Sequence, residues 1–249
     1  MWKGSEPYRK RSQPCRRTHQ QTEGAVFAGI KADKYWQTIR KVIIMQESIA
    51  QVIDQMRDRG FEVVPLETAQ EAREYLLSHI LQGATVGVGG SMTIREINVV
   101  PALRERGHEV TWHWDVPKEE GPAARAKARL ADVYLASTNA VTRDGQLVNI
   151  DGTGNRVAAM FDGPKQVYLV ISHSKLTDGG LNTAIARIKE HACPANARRL
   201  SLSTPCAHTG LCKPKECGDD CMCHIIVAIS RPPKGKTITV LLVEETLGY

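Results

Sequence analysis

The stretch GVGGSMTIRE, Gly87 to Glu96, packs a strand end, a glycine-rich bend and a helix start into ten positions. The apolar run Ala84 to Val88 supplies the strand, and Gly89-Gly90 would allow positive φ and close approach of backbone to a ligand. Ser91 and Thr93 are placed to cap a helix whose apolar positions Ile94, Ile97, Val100 and Leu103 follow helical spacing. Glu96 stands three residues after Thr93, the spacing of a capping box. Free N–H groups at such a terminus favour phosphate or carboxylate, so Gly89, Gly90, Ser91 and Thr93 are candidate ligand-binding residues. An ordinary strand-to-helix turn has the same residues. The stretch lacks the Gly-Lys-Ser/Thr of a P-loop and the spaced three-glycine dinucleotide fingerprint.

Outward from this stretch the chain alternates. A helical face runs from Asp33 through Met56 and stops at Gly60, a strand spans Phe61 to Val64, and a helix spans Ala69 to Leu81. After the helix Thr93 to Arg106 come a strand Glu109 to Trp114, a charged linker, a short helix near Ala123 to Leu130 and a strand Val133 to Ser137. Asp144-Gly145 suits a type I′ hairpin turn returning into Gln146 to Ile150. A helix from Asn155, a strand Gln166 to Ile171, a helix Asp178 to His191 and two β-rich segments, Ile225 to Ile229 and Thr237 to Val243, complete the pattern. Such alternation predicts an α/β fold, a mainly parallel sheet with helices on both faces, in which ligands gather at the carboxyl ends of strands.

A second glycine-rich patch, NIDGTGNR at 149–156, also runs from a strand into a helix. Asp151 and Asn155 can fix the turn, and Arg156 offers a forked donor to carboxylate or phosphate. If the two patches converge above the sheet they form one pocket, with Asn155 and Arg156 opposite the first loop and Asp151 as a candidate general base. Lys175, just past the strand Gln166 to Ile171, is a third catalytic candidate by position. Glu96 is a candidate nucleophile as well as a capping partner. His113 and His173 read as structural histidines, and neither a zinc-protease helix nor a Gly-x-Ser-x-Gly elbow occurs.

Five cysteines, Cys206, Cys212, Cys217, Cys221 and Cys223, fall within eighteen residues rich in glycine and proline. In a reducing compartment such clustering points to zinc, an iron-sulfur cluster or thiol redox chemistry before structural disulfides. Inert thiols are the remaining reading, because the spacing departs from paired zinc knuckles and from ferredoxin runs.

The 249 residues are 42% hydrophobic and 24% charged, enough for one sizeable core. Of the net charge of +6, residues 1–25 hold +4, with six basic side chains against two acidic. The remainder is near neutral and only 5% aromatic, which argues against a nucleic-acid face. The division expected is a basic, disordered tail over 1–28 and a single α/β domain over 29–249 with a cysteine-rich loop at 204–224. No apolar run reaches membrane-spanning length and no apolar segment follows the N-terminal charges, so a cytoplasmic location without membrane insertion is expected.

Six motifs in order, VGVGGSMT at 86–93, ASTNA at 136–140, NIDGTGNRVAAM at 149–160, GPKQV at 163–167, TPC at 204–206 and VEETLG at 243–248, resemble the LUD family of lactate-utilization proteins. The resemblance covers about Asp33 to Tyr249. It implies a fold similar to the ribose-phosphate isomerase, glucosamine-phosphate deaminase and CoA-transferase group, in which a loop like Gly87 to Thr93 holds a phosphate or the substrate's anionic end. It also implies a part in oxidising lactate or a related organic acid, a small carboxylate or phosphorylated metabolite as ligand, and iron-sulfur partner proteins. Cys206, Cys212, Cys217 and Cys223 match the family's late cysteines and are the implied metal ligands. Cys221 is extra, the interval between Cys212 and Cys217 is long, and His224 replaces an Asn. Two alternatives stand beside this reading: a stand-alone isomerase or acyl-CoA-transferase-like enzyme, and a non-catalytic electron-transfer or assembly subunit built on the cysteines.

Overall fold

The computed structural model describes residues 46–249 and, before them, 34, 37 and 40. The tail over 1–28 and most of the helical face before Ile49 lie outside the described residues. From residue 47 onward the chain forms one compact unit.

Six parallel strands make the main sheet: β1 (Glu62–Leu66), β2 (Val86–Val88), β3 (Val110–Trp112), β4 (Val133–Ala136), β7 (Gln166–Ser172) and β9 (Thr237–Val243). Their order is β1-β9-β7-β4-β2-β3. The chain steps from β2 to β3 on one side and then returns to β4 on the other. β2 is therefore a switch point, where a crevice opens beyond the strand ends. A smaller antiparallel sheet joins β5 (Ala140–Val141), β6 (Leu147–Asp151) and β8 (Ile225–Ile229).

Alternate residues of the central strands feed two cores. Ala136, Leu169, Ile171, Val240 and Leu242 pack with Val52, Ile53 and Met56 of the helical residues 47–58 (α1) and with Ala159 and Met160 of α6 (Asn155–Phe161). Leu135, Val170, Leu241 and Val243 pack on the opposite face with α2 (Ala69–His79), α3 (Met92–Glu96) and α4 (Val99–Glu105). Helices therefore cover both faces, which the near-continuous apolar runs of β7 and β9 require. α2 carries its own capping box, Thr68 with Glu71.

Four local expectations are corrected. The single helix from Thr93 to Arg106 is broken into α3 and α4 at Asn98, which has φ of 50°. Pro101 supplies the cause, since within a continuous helix it has no N–H for the Ile97 carbonyl and its ring would crowd it. The helix drawn over Asp178 to His191 begins at Leu181 (α7, Leu181–Arg187), then passes through a π turn (Ile188–Ala192) into α8 (Cys193–Arg199). Pro194 again lacks the donor that a regular helix needs, and the wider turn absorbs the missing bond. The hairpin turn is not type I′. Asp144 keeps a negative φ, only Gly145 is left-handed, and Thr142 closes the turn by accepting from Gly145 N–H at 2.9 Å. Finally, neither Gly89 nor Gly90 has positive φ. Glycine is required at 89 because a Cβ there would sit 2.7 Å from the Tyr134 hydroxyl and 3.1 Å from Arg156.

Candidate functional site

Both glycine-rich patches open onto one cavity of about 540 Å³ beyond the carboxyl ends of β2, β4 and β7. Gly90, Ser91 and Thr93 come from the first patch, and Asp151, Asn155 and Arg156 from the second. Ser137, Thr138 and Asn139 follow β4, and Lys175 follows β7 in a short turn (His173–Lys175). Gly89 stands behind the wall, its N–H bonded to Leu135 O and its carbonyl accepting from the Trp112 indole.

Ser91 is the N-cap of α3, its hydroxyl accepting from Ile94 N–H at 3.2 Å. Thr93 is not a cap and Glu96 is not a capping-box partner, a second correction to the reading of this loop. Thr93, two residues on in the first turn of α3, is buried and accepts from the Lys175 amine at 2.8 Å. Ser137 accepts from the same amine at 3.0 Å. Lys175 is only 2% exposed yet borders the cavity. Burial, then Arg187 and Arg156 nearby, push its pKa down to about 7. A buried amine at that value exists half as ammonium and half as free base near neutrality. With two hydroxyls accepting from it, its remaining valence is an N–H when charged and a lone pair when neutral.

Arg156 does more holding than reaching. Its guanidinium donates to Ser137 O at 2.9 Å, Asn149 Oδ1 at 2.6 Å, Asn139 Oδ1 at 2.9 Å and Ile150 O at 3.2 Å, and lies 3.4 Å from Asp151 Oδ2. One buried arginine thus ties the end of β4 to β6 and the second glycine patch. Asp151 Oδ1 accepts from Gly154 N–H at 3.2 Å, as the turn reading required, while its Oδ2 is buried without a hydrogen-bond partner among the described residues. Asn155 pairs with Thr153 at 2.5 Å.

His113, read from sequence as structural, borders the cavity with Trp114 at the end of β3. Burial, then Arg125 and Arg199, lower its pKa against an opposing pull from Asp151, which favours the neutral ring. Its Nδ1 is buried without a hydrogen-bond partner among the described residues. Trp114 stacks on Trp112 and carries the Arg199 guanidinium 4.7 Å above its ring. Arg199 also donates to the Tyr249 hydroxyl at 2.9 Å. The sequence gives His113 no ligand-like spacing; its position at a strand's carboxyl end was the available signal.

Glu96 does not border the cavity. Its carboxylate accepts from Gly248 N–H at 2.6 Å, and Thr93 donates to Leu247 O at 3.4 Å, so the segment 247–249 is strapped across the first loop.

The late cysteines form a thiol-rich corner beside the cavity. Cys193, at the start of α8, and Cys221 border it. Cys193 Sγ lies 3.4 Å from Cys223 Sγ, and Thr204 Oγ1 lies 3.3 Å from Cys206 Sγ. Hydrogen bonding to Cys223 and burial push the Cys193 thiol up, whereas the bond from Cys193, with Lys189 nearby, brings Cys223 down to about 7. Among the described residues no three His, Cys, Asp or Glu side chains are grouped as an ion would require, the candidate set Cys206, Cys212, Cys217 and Cys223 included. Cys193 was outside the sequence cluster because it arrives from another element. No helix among the described residues is long and apolar enough to cross a membrane.

The family described as the LUD domain matches residues 49–243. A crystal structure of a DUF162 family protein from Deinococcus radiodurans is similar at 13% identity with a TM-score of 0.48, covering 80% of this chain and 98% of that one. No curated protein matches the chain.

Proposed function

The chain belongs to the LUD domain family, and we propose that its cavity binds a small anionic metabolite, a carboxylate or a phosphate ester, in support of lactate or related organic-acid oxidation. The observation that carries this reading is Lys175, a buried amine at the cavity wall held by two hydroxyls and, among the described residues, by no carboxylate in hydrogen-bond contact. An arriving anion supplies a contacting countercharge, which Glu96 nearby does not, and draws the amine to its ammonium form. Ser91 and Thr93 shape the anion's side of the cavity. Arg156 is a positioning residue that fixes Ser137 and Asp151. Asp151 Oδ2 and the neutral His113 are the groups able to accept a hydroxyl proton from a hydroxy acid.

A second reading is favoured by size. The cavity of about 540 Å³ falls within the ~300–1,000 Å³ typical of sites for ligands much larger than a three-carbon acid. A stand-alone isomerase or acyl-CoA-transferase-like activity with Asp151 as base would use that room.

Calorimetric titration of the full chain with lactate, pyruvate, ribose 5-phosphate and acetyl-CoA separates the two. The first reading expects saturable binding of the organic acids, weakened at least tenfold by Lys175→Met and by Ser91→Ala with Thr93→Ala. Turnover of ribose 5-phosphate or acetyl-CoA that Asp151→Asn abolishes supports the second. Folded protein that binds none of these anions contradicts both.

A further inference from the structure

We propose that Cys193 and Cys223 form a thiol–disulfide exchange pair that takes a small disulfide as oxidant and closes to a Cys193–Cys223 bond. This goes beyond the anion-binding reading and does not depend on it. The two sulfurs meet at 3.4 Å although 30 positions apart in the chain, and each is placed by regular structure. Cys193 opens α8 directly after the π turn. Cys223 precedes β8, whose pairing with β6 begins at Asp151 and Ile225, and His224 N–H donates to Asp151 O at 3.2 Å beside it. Side-chain rotation over little more than an ångström brings such sulfurs to a bonding distance of about 2.05 Å.

Access orders the steps. Cys193 is buried at 6% exposure, whereas Cys223 is half-buried and the more exposed of the two. Cys223 loses its proton to solvent and attacks one sulfur of the oxidant R–S–S–R, forming a mixed disulfide and releasing one RS⁻. Cys193 then loses its proton and attacks the Cys223 sulfur, expelling the second RS⁻ and forming the intramolecular bond. Two electrons pass from the protein to the oxidant, and two protons leave with them. The bond would clamp the segment 219–223 to α8, and Cys193, Cys221 and Met222 all border the cavity. Oxidation would therefore stiffen one wall of the ligand site.

The test treats the reduced full-length chain with oxidised glutathione, followed by alkylation and peptide mapping by mass spectrometry, with elemental analysis of the same sample. The expected result is a linked Cys193–Cys223 peptide and two glutathione equivalents released per chain. Cys193→Ser, with folding checked by circular dichroism, should stop at a glutathione adduct on Cys223, and Cys223→Ser should leave Cys193 unmodified. A linked peptide joining Cys223 to Cys221 or Cys217 would overturn the proposal. So would stoichiometric zinc or iron whose removal is needed before either thiol reacts, since that would make the corner a metal centre.

Discussion

Lys175 and Arg156 are buried basic side chains that both donate to Ser137, and their other partners separate their roles. Arg156 spends its donors on four protein oxygens and Asp151. Arg156→Met is therefore expected to cost about 3–5 kcal/mol by stranding Asp151, read by urea unfolding. Arg156→Lys should recover little, because an ammonium cannot reproduce the fork. Lys175 is contacted by hydroxyls, with Glu96 the nearby carboxylate out of hydrogen-bond reach, so its burial costs stability. Unfolded, it ionises near ~10.4, against about 7 in the fold. Between these values the unfolded chain holds one proton more, so the cost is full below pH 7 and fades as pH rises toward ~10.4. Lys175→Met should stabilise the ligand-free protein by on the order of 3 kcal/mol at pH 6, and the gain should shrink by pH 10. A melting-temperature difference that does not change with pH would show that Lys175 is not buried as a shifted amine. At this scale the sequence was least legible. Asp151 and Lys175 could be picked out by their place after strands, but which acceptors Arg156 meets, and that Glu96 turns to Gly248 instead of its own helix, depend on segments distant in the chain.

Among the elements, the first glycine patch shows what glycine is for. A Cβ at Gly87 would lie 2.0 Å from the Ala128 carbonyl, so β2 can pass α5 (Gly121–Arg129) only without a side chain. At Gly90 the nearest atoms, on His113 and Trp114, are 3.4 Å away and belong to side chains. Gly87→Ala should destabilise the fold by at least about 1–3 kcal/mol, while Gly90→Ala should fold near normally and narrow the cavity; thermal melts of both variants check the contrast. Ser91→Ala removes the α3 cap and is expected to cost about 0.5–2 kcal/mol. Strand identities and the strand–loop–helix rhythm were readable because both periods are local. The breaks at Asn98 and before Pro194 were signalled by prolines that apolar spacing alone passed over.

For the molecule as a whole, the alternation of strands and helices implied a parallel sheet with a site at its carboxyl edge, and the switch at β2 places the cavity there. What composition could not supply was the strand order or the return of Cys193 to the thiol corner, both products of long-range pairing. The basic segment over 1–28 has no apolar period with which to bury surface. A chain beginning at Gly29 is expected to melt within a degree or two of the full chain; a large drop would show that the segment packs on the domain. If the cavity recognises an anion through Lys175, ligand binding and protonation of that amine are linked. Binding of the best organic-acid ligand should be followed by calorimetry at pH 7 in buffers of different ionisation enthalpy and then across pH 6–9. Uptake of about half a proton on binding at pH 7 and affinity falling toward tenfold per unit above it are expected, with loss of both effects in Lys175→Met. Binding without proton uptake, at an affinity unchanged in that variant, would contradict recognition through Lys175.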